Sequence, residues 1–229
     1  MGDRATTETR PIQIRAGAAF IDGDLTVPER AQGLVVFAHG SGSSRFSRRN
    51  QAVARTLSDG GFATLLLDLL TQDEEVIDIG TREYRFDIER LGHRVVGAID
   101  WAGGEPDVAG LPIACFGAST GAAAALIAAA ERPDAVRAVI SRGGRPDLAG
   151  DALPQVLAPT LLIVGGADDV VIDLNRLAMQ QMRAAHVELE IVPGATHLFE
   201  EPGALAQVSR LALEWCRRQL SNAGPRRSA

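Results

Sequence analysis

Cysteine is scarce in this chain, which has only Cys115 and Cys216 among its 229 residues. Two cysteines cannot form the disulfide framework of a small secreted domain. No cluster of histidine, cysteine and aspartate has the spacing of a metal site, so we expect neither a metal nor any other cofactor. Cys115 lies in an apolar run and is expected to be a small buried hydrophobic residue.

The chain also lacks an excess of positive charge. Its net charge is −6 and its pI is about 5.3, so no basic face for nucleic acid is expected. Residues 108–130 are the longest uncharged stretch, but Pro112, Gly117 and Gly121 interrupt it, and a strand followed by a helix explains them better than a membrane span. Residues 1–10 are polar, unlike a secretory signal. We therefore expect a cytoplasmic protein with a small-molecule substrate, no nucleic-acid or membrane partner, and an oligomeric state that the sequence leaves open.

Apolar residues are grouped in short runs that alternate with stretches of helical spacing. The run over 62–70 is typical of a strand buried on both faces, and the apolar spacing over 87–101 predicts a helix. The segment between them, 71–85, is expected to be a polar loop. Strands that alternate with helices predict an α/β fold whose central sheet is mostly parallel and covered by helices on both faces.

Residues 112–121 read Pro-Ile-Ala-Cys-Phe-Gly-Ala-Ser-Thr-Gly, an apolar run that ends in Gly-x-Ser-x-Gly. A strand that leads through this sequence into a helix is typical of a nucleophile elbow, a sharp turn that exposes a serine hydroxyl. The glycines allow close backbone approach, and the following helix directs N–H groups toward a developing negative charge. An ordinary turn with a serine is the alternative, so the interpretation of Ser119 as a nucleophile depends on finding partners for it.

Two such partners follow later strands. Asp168 comes just after the strand predicted at 159–164, and His197 comes just after the strand predicted at 187–192. The carboxyl ends of parallel strands share one edge of a sheet, where active sites lie. His197 would act as the base for Ser119, and Asp168 would orient His197.

Other residues compete for these roles. Asp169 is the rival carboxylate to Asp168. Among the histidines, His39 lies in a glycine-rich loop that it is expected to shape, and His93 and His186 are expected to be structural or surface residues.

The sequence resembles the α/β-hydrolase superfamily and, within it, the dienelactone hydrolase-like branch. The resemblance rests on His39-Gly40-Ser41-Gly42, the elbow at 117–121, and the segments 165–168 and 194–197. It covers residues 10–220 and implies the α/β-hydrolase fold and the order Ser, Asp, His along the chain. The resemblance favours Asp168 over Asp169, because Gly165, Asp168 and Val171 match that family's Gly-x-x-Asp-x-x-Val pattern. Namesake dienelactone hydrolases carry cysteine at the elbow, so the serine here makes general carboxylic-ester hydrolysis the expected reaction.

A single α/β-hydrolase domain over 1–229 is expected, with flexible tails at 1–10 and 221–229. About 18 residues separate Ile140 from Pro159, which is too few for a large cap. The site should therefore be open and should suit small or medium soluble substrates rather than long-chain lipids.

The resemblance also implies an oxyanion hole formed by two backbone N–H groups. One is expected from Thr120, which follows the nucleophile, and the other from Ser41. A phosphate-binding loop is the alternative for residues 40–44, but this segment lacks the Gly-Lys-Ser/Thr ending, and Arg45 replaces the third glycine of a dinucleotide-binding motif.

Arginines follow two strands at the same edge of the predicted sheet. Arg142, Arg145 and Arg45 are candidates to bind a carboxylate or phosphate on the substrate. The alternative is that they are solvated or paired with acids such as Asp147 and Asp169. Hydrolysis of carboxylic esters through an acyl-enzyme is the leading functional hypothesis. Thioesterase, peptidase or perhydrolase activity on the same triad, or a non-catalytic binding protein, are the alternatives.

Overall fold

The computed structural model describes residues 8–221, which build one eight-stranded sheet with the order β1-β2-β4-β3-β5-β6-β7-β8. The first two strands form an antiparallel hairpin, and β2 pairs antiparallel with β4. All other neighbouring strands pair in parallel. The strands are β1 (Thr9–Ala16), β2 (Ala19–Thr26), β3 (Leu34–Ala38), β4 (Ala63–Leu67), β5 (Ile113–Ala118), β6 (Val136–Arg142), β7 (Thr160–Gly165) and β8 (Val187–Val192).

Helices cover both faces of this sheet, as the sequence predicts. One apolar cluster joins the sheet to α3 and α4, and a second joins it to α1 and α6. The helices are α1 (Arg48–Asp59), α2 (Gln72–Thr81), α3 (Ile88–Gly104), α4 (Gly121–Glu131), α5 (Asp169–Gln181) and α6 (Ala204–Leu220). A 3-10 segment, Pro146–Gln155, occupies the connection between β6 and β7, where no large cap was expected.

The central strands are buried along their whole length. Successive side chains point to opposite faces, so Val35 and Phe37 pack toward α1 and α6 while Leu34 and Val36 pack toward α3 and α4. Two-sided burial explains why these strands read as continuous apolar runs. Polar side chains are therefore concentrated at the strand ends, where the candidate site lies.

The segment 71–85 differs from the loop predicted for it, because it contains α2. Thr71 and Glu74 form a capping box, in which each side chain accepts a hydrogen bond from the other residue's backbone N–H. The apolar side chains Val76 and Ile79 are exposed, so the helix has no apolar stripe toward the core that periodicity could reveal.

Three smaller points concern the remaining boundaries. Helix α5 begins at Asp169, directly after Asp168. The predicted flexible tails lie mostly outside the described residues, but Thr9 and Arg10 belong to β1 and pair with β2. Among the helices of the described part, none combines the length and apolar character needed to cross a bilayer.

Candidate active site

The elbow around Ser119 is fixed by close backbone contacts on both sides. Ser119 lies between the end of β5 and the start of α4 with φ of +51°, in the left-handed region that side chains rarely adopt. A Cβ added to Gly117 would lie 2.3 Å from Ala122 Cα, and one added to Gly121 would lie 2.3 Å from the Ala38 carbonyl oxygen. Neither position has room for a side chain, so these contacts require both glycines of the motif.

The structure brings Ser119, His197 and Asp168 together. His197 Nδ1 lies 2.7 Å from Asp168 Oδ2, and His197 Nε2 lies 3.3 Å from Ser119 Oγ. A carboxylate can only accept, so Nδ1–H donates to Asp168, and this leaves the Nε2 lone pair directed at the serine hydroxyl. This tautomer allows His197 to accept the Ser119 proton.

The loops that carry Asp168 and His197 are joined through their backbones. The Asp168 N–H donates to the Gly165 carbonyl (3.0 Å), which forms a tight turn directly after β7. The neighbouring Ala167 N–H donates to the Ala195 carbonyl (2.9 Å), two residues before His197. These backbone bonds fix the positions of the two loops independently of the contact between the Asp168 and His197 side chains.

Asp169 and the other histidines lie elsewhere. Asp169 is exposed as the first residue of α5. His93 lies on the surface 3.4 Å from Glu131, and His186 lies 3.0 Å from Glu188. None of these three residues contacts Ser119.

His39 connects the loop after β3 to the loop after β4. Its Nε2 accepts from the Leu69 N–H (3.0 Å), and its Nδ1–H donates to the Gly40 carbonyl (2.9 Å). Burial lowers the pKa of His39, and the bond to Gly40 and nearby acidic groups oppose that lowering only in part. A neutral His39 holds the segment that contains Ser41, in line with the loop-shaping role expected for it.

The candidate oxyanion donors lie side by side. The Ser41 N–H donates to Thr120 Oγ1 at 2.9 Å, so the glycine-rich loop is in direct contact with the residue after the nucleophile. Thr120 occupies the N-terminal cap of α4, where helix N–H groups point outward. A substrate oxygen bound here would replace the Thr120 hydroxyl as the acceptor for Ser41.

The three candidate arginines have different surroundings. Arg45 forms ion pairs with Asp68, Asp24 and Asp22. Arg145 forms a two-bond ion pair with Asp147, with N···O distances of 2.8 and 2.7 Å. These two guanidinium groups are therefore already neutralised by carboxylates of the protein.

Arg142 is only 7% exposed, and its Nε and Nη1 are buried without a hydrogen-bond partner within residues 8–221. Burial lowers the pKa of Arg142 to about 10, and the positive charge of Arg49 contributes to the lowering. The three arginines therefore differ. Arg45 and Arg145 are paired with carboxylates, whereas Nε and Nη1 of Arg142 have no partner within residues 8–221.

A cleft opens between the glycine-rich loop, residues 40–44, and α2. Its wall includes Glu75, Asp78, Ile79 and Arg85, which lie in the segment 71–85 that was predicted to be a loop and whose individual residues had no predicted role. A readable signal was present in the capping pair Thr71 and Glu74. The side chains contributed by α2 and its neighbours are Leu70, Glu75, Asp78, Ile79, Arg85 and Leu91.

A family model described as "Dienelactone hydrolase family" matches residues 21–219. The chain belongs to the dienelactone hydrolase family. A solved structure of a dienelactone hydrolase from Anabaena variabilis is 55% identical to this family member, with a TM-score of 0.91 and coverage of 93% of this chain and 99% of that chain. Est1E from Butyrivibrio proteoclasticus is 18% identical with a TM-score of 0.77, over 93% of this chain and 99% of that chain, and shares the fold.

Curated relatives of this dienelactone hydrolase family member are longer proteins. Two sequences from strains of Mycobacterium tuberculosis, each named "Putative phosphoribosyl transferase", are 56% identical over 214 residues. The match covers 93% of this chain and 47% of each relative. The chain therefore spans about half the length of the curated relatives it matches.

Proposed function

We propose that this chain is a serine hydrolase that cleaves carboxylic esters through an acyl-enzyme. The observation that carries the proposal is the continuous contact from Asp168 through His197 to Ser119, with distances of 2.7 and 3.3 Å. The second distance is slightly long for a hydrogen bond, as is common in the absence of substrate. Family membership and the elbow geometry support the same reaction class.

Each residue of the triad has a defined step. The Ser119 hydroxyl gives its proton to His197 Nε2 while Oγ attacks the ester carbonyl carbon, and the carbonyl oxygen becomes an oxyanion. Collapse of the tetrahedral intermediate re-forms the carbonyl and expels the alcohol, which takes the proton from His197. Water then attacks the acyl-enzyme and gives its proton to His197. Collapse of the second intermediate releases the carboxylic acid, and Ser119 Oγ takes that proton back from His197. Asp168 stabilises the imidazolium in both halves of the reaction.

The oxyanion would be bound by the backbone N–H groups of Thr120 and Ser41. Donors at this position would stabilise the negative charge that develops on the carbonyl oxygen as the transition state forms. The hydrogen bond from the Ser41 N–H to Thr120 Oγ1 supports their assignment, since it brings the two residues into direct contact beside Ser119.

The cleft between the glycine-rich loop and α2 supports the proposal that the substrates are small or medium in size. Its wall combines the apolar side chains Leu70 and Ile79 with polar groups of the glycine-rich loop, and the connection from β6 to β7 contains only the 3-10 segment Pro146–Gln155. Thioesters, peptides and peracids would use the same catalytic groups. We favour esters over peptides because an alcohol is a better leaving group than an amine.

No phosphoribosyl transfer is assigned to this chain. The Mycobacterium tuberculosis relatives that carry the transferase name are about twice its length, so the name can refer to the half that this chain does not match.

Labelling with a fluorophosphonate probe tests the proposal, because the probe forms a covalent bond only with an activated serine. We expect an adduct at Ser119 and hydrolysis of 4-nitrophenyl acetate, both lost in Ser119→Ala and both retained in Ser43→Ala, a serine in the adjacent loop. A folded protein that neither forms the adduct nor hydrolyses the ester would favour a binding protein instead.

A further inference from the structure

The backbone of Ser119 is held on both sides by the loop that follows β6, residues 142–145. The Ser119 N–H donates to the Arg142 carbonyl at 3.2 Å, and the Arg145 N–H donates to the Ser119 carbonyl at 3.0 Å. Ser119 has a φ of +51°, a strained conformation that persists only where its surroundings over-determine it. Loop 142–145 therefore helps to keep the proposed nucleophile in the conformation that exposes its hydroxyl.

The same loop packs closely against the elbow and the segment of the proposed base. A Cβ added to Gly144 would lie 2.5 Å from Ala122 Cβ, and one added to Gly143 would lie 3.0 Å from the His197 carbonyl oxygen. The Gly143 N–H also donates to the Ile163 carbonyl at 2.7 Å. A displacement of this loop would therefore be felt at the reacting groups.

Asn175 reaches this loop from the interior of α5. Its side chain is fully buried, with 0% exposure, at a helical position where asparagine is a poor helix former. Its Nδ2 donates to the Gly144 carbonyl at 3.0 Å and to the Val171 carbonyl, one turn earlier, at 2.7 Å. Both partners are carbonyls, which can only accept, so the amide has one orientation. The bond to Gly144 is what an apolar side chain of similar size could not supply.

Helix α5 connects this bond to the proposed carboxylate. Asp168 directly precedes the helix, and its carbonyl accepts the Ile172 N–H at 3.0 Å. Asn175 lies about two helical turns beyond Asp168. The helix is therefore attached to Asp168 at its start and to the loop that holds Ser119 two turns later. This connection does not pass through the His197 side chain.

We propose that Asn175 is a positioning residue, which holds loop 142–145 so that Ser119 presents its hydroxyl to His197. The proposal rests on the ester hydrolysis proposed above. Asn175 acts through the Gly144 carbonyl and is not itself a catalytic residue.

Two substitutions remove the bond to Gly144 in different ways. Asn175→Leu removes both donors at a similar side-chain volume. Asn175→Ser keeps a hydroxyl that can donate to the Val171 carbonyl of its own helix but is too short to reach Gly144. The matched control is Thr160→Val, because Thr160 is equally buried and its hydroxyl donates to the Ala158 carbonyl, away from loop 142–145.

The direct test measures the rate constant for fluorophosphonate labelling of Ser119 and kcat/KM for 4-nitrophenyl acetate, both below the unfolding transition. We expect both to fall about 10- to 100-fold in the two Asn175 variants and less than about threefold in Thr160→Val, because a small misplacement of a reacting group slows the reaction steeply. The pH midpoint of kcat/KM, which reports the proposed base in the free enzyme, should stay at the wild-type value. A residue that only stabilises the fold would leave the labelling rate of the folded protein unchanged.

Wild-type labelling in Asn175→Ser overturns the proposal, and this variant decides the question if Asn175→Leu does not fold. A shifted pH midpoint also overturns it, because that result places the effect at Asp168. If the wild-type protein forms no adduct, the proposed function fails, and hydrogen exchange then tests Asn175 alone. Exchange at the Ser119 and Arg145 amides that is faster relative to β5 in Asn175→Ser, but not in Thr160→Val, supports its hold on the loop. Equal exchange in the two variants overturns it.

Discussion

The elbow around Ser119 and the helix α2 border the same edge of the sheet, yet they are held by different forces. The elbow is enclosed by β5 and the alanine-rich α4, whose residues are almost all buried. In α2 only Asp78 is buried, while Val76 is 73% exposed and Ile79 is 72% exposed. Close packing of the backbone therefore fixes the elbow, whereas capping and ion pairs fix α2.

This difference indicates where the chain opens most easily. Local unfolding requires little free energy where few apolar contacts are broken. We expect α2 to unfold locally while the sheet stays folded, and we expect the elbow to open only with global unfolding. The reacting groups would then stay rigid while one wall of the cleft adapts to the substrate.

The largest effect on activity is expected from replacing Asp168, the carboxylate of the proposed triad. Asp168→Asn should lower kcat for 4-nitrophenyl acetate by roughly 10⁴-fold, because the amide cannot hold His197 in the tautomer that accepts the serine proton. Asp169→Asn, at the exposed neighbour, should change kcat less than about threefold by the same reasoning. The assignment of Asp168 is wrong if the two variants exchange these results.

Stability of the elbow region is tested by a pair of glycines. Gly121→Ala should lower the free energy of unfolding by at least about 3 kcal/mol, because the new methyl group would lie 2.3 Å from the Ala38 carbonyl oxygen. Gly103→Ala, on α3 with no atom within 4 Å, should be neutral or stabilising by up to about 1 kcal/mol. Urea denaturation of both variants measures the difference, and similar midpoints would show that the elbow relaxes.

The polar anchor of α2 should matter less for global stability. Asp78 accepts hydrogen bonds from the Tyr84 and Arg85 N–H groups at 2.8 and 2.9 Å. Burial opposes ionisation, but these bonds and the Arg85 guanidinium outweigh it and lower the pKa of Asp78. Asp78→Asn should cost about 1–3 kcal/mol and speed hydrogen exchange in α2 selectively. Asp73→Asn, exposed in the first turn, is the control, and uniform acceleration across the sheet would contradict local opening.

The loop that links the two regions should make stability depend on pH. Burial lowers the pKa of His39 below its ordinary 6.5, so the unfolded chain takes up a proton below pH 6.5 before the folded chain does. The free energy of unfolding should therefore fall as the pH drops from 7.5 to 5.5, by up to about 1.4 kcal/mol per pH unit below 6.5. His39→Gln should show a weaker pH dependence than His93→Gln, the surface control. Equal slopes in thermal denaturation of the two variants would exclude His39 as the source.

The smallest effect is expected on the outer face of α2. Val76→Ser replaces a side chain that is already in solvent, so the free energy of unfolding should change by less than about 0.5 kcal/mol. A loss above 1 kcal/mol in urea denaturation would show that the face is covered in solution.

The sequence predicts the elements whose signals are local. The apolar run of β5 and the helical spacing of α3 reflect which of their residues are buried, and this pattern can be recognised within each segment. Ser119, Asp168 and His197 could be proposed because each follows a strand end, and the structure brings them into contact; their catalytic roles stay predictions. The helix α2 was missed because its apolar residues face solvent and only Thr71 and Glu74 indicate it.

Pairing between distant charges had no local signal. Arg45 meets Asp22, Asp24 and Asp68, which lie on or beside other strands, and Arg142 meets no carboxylate in the described part of the chain. These outcomes depend on which strands become neighbours. The pairing of Arg145 with Asp147, two residues along the chain, was an alternative named from the sequence. The different surroundings of Arg45 and Arg142 could not be read from their positions.

The backbone bond between Ala167 and Ala195 has a consequence for how such a protein can diversify. It joins the two turns that carry Asp168 and His197, so that the proposed base and the carboxylate proposed to orient it are held as one unit. The polypeptide that runs between those turns comprises α5 and β8, and we expect insertions to be tolerated in their connection at residues 183–185, which are exposed or half-buried. New surfaces could be grafted there while the proton-transfer geometry stays as it is.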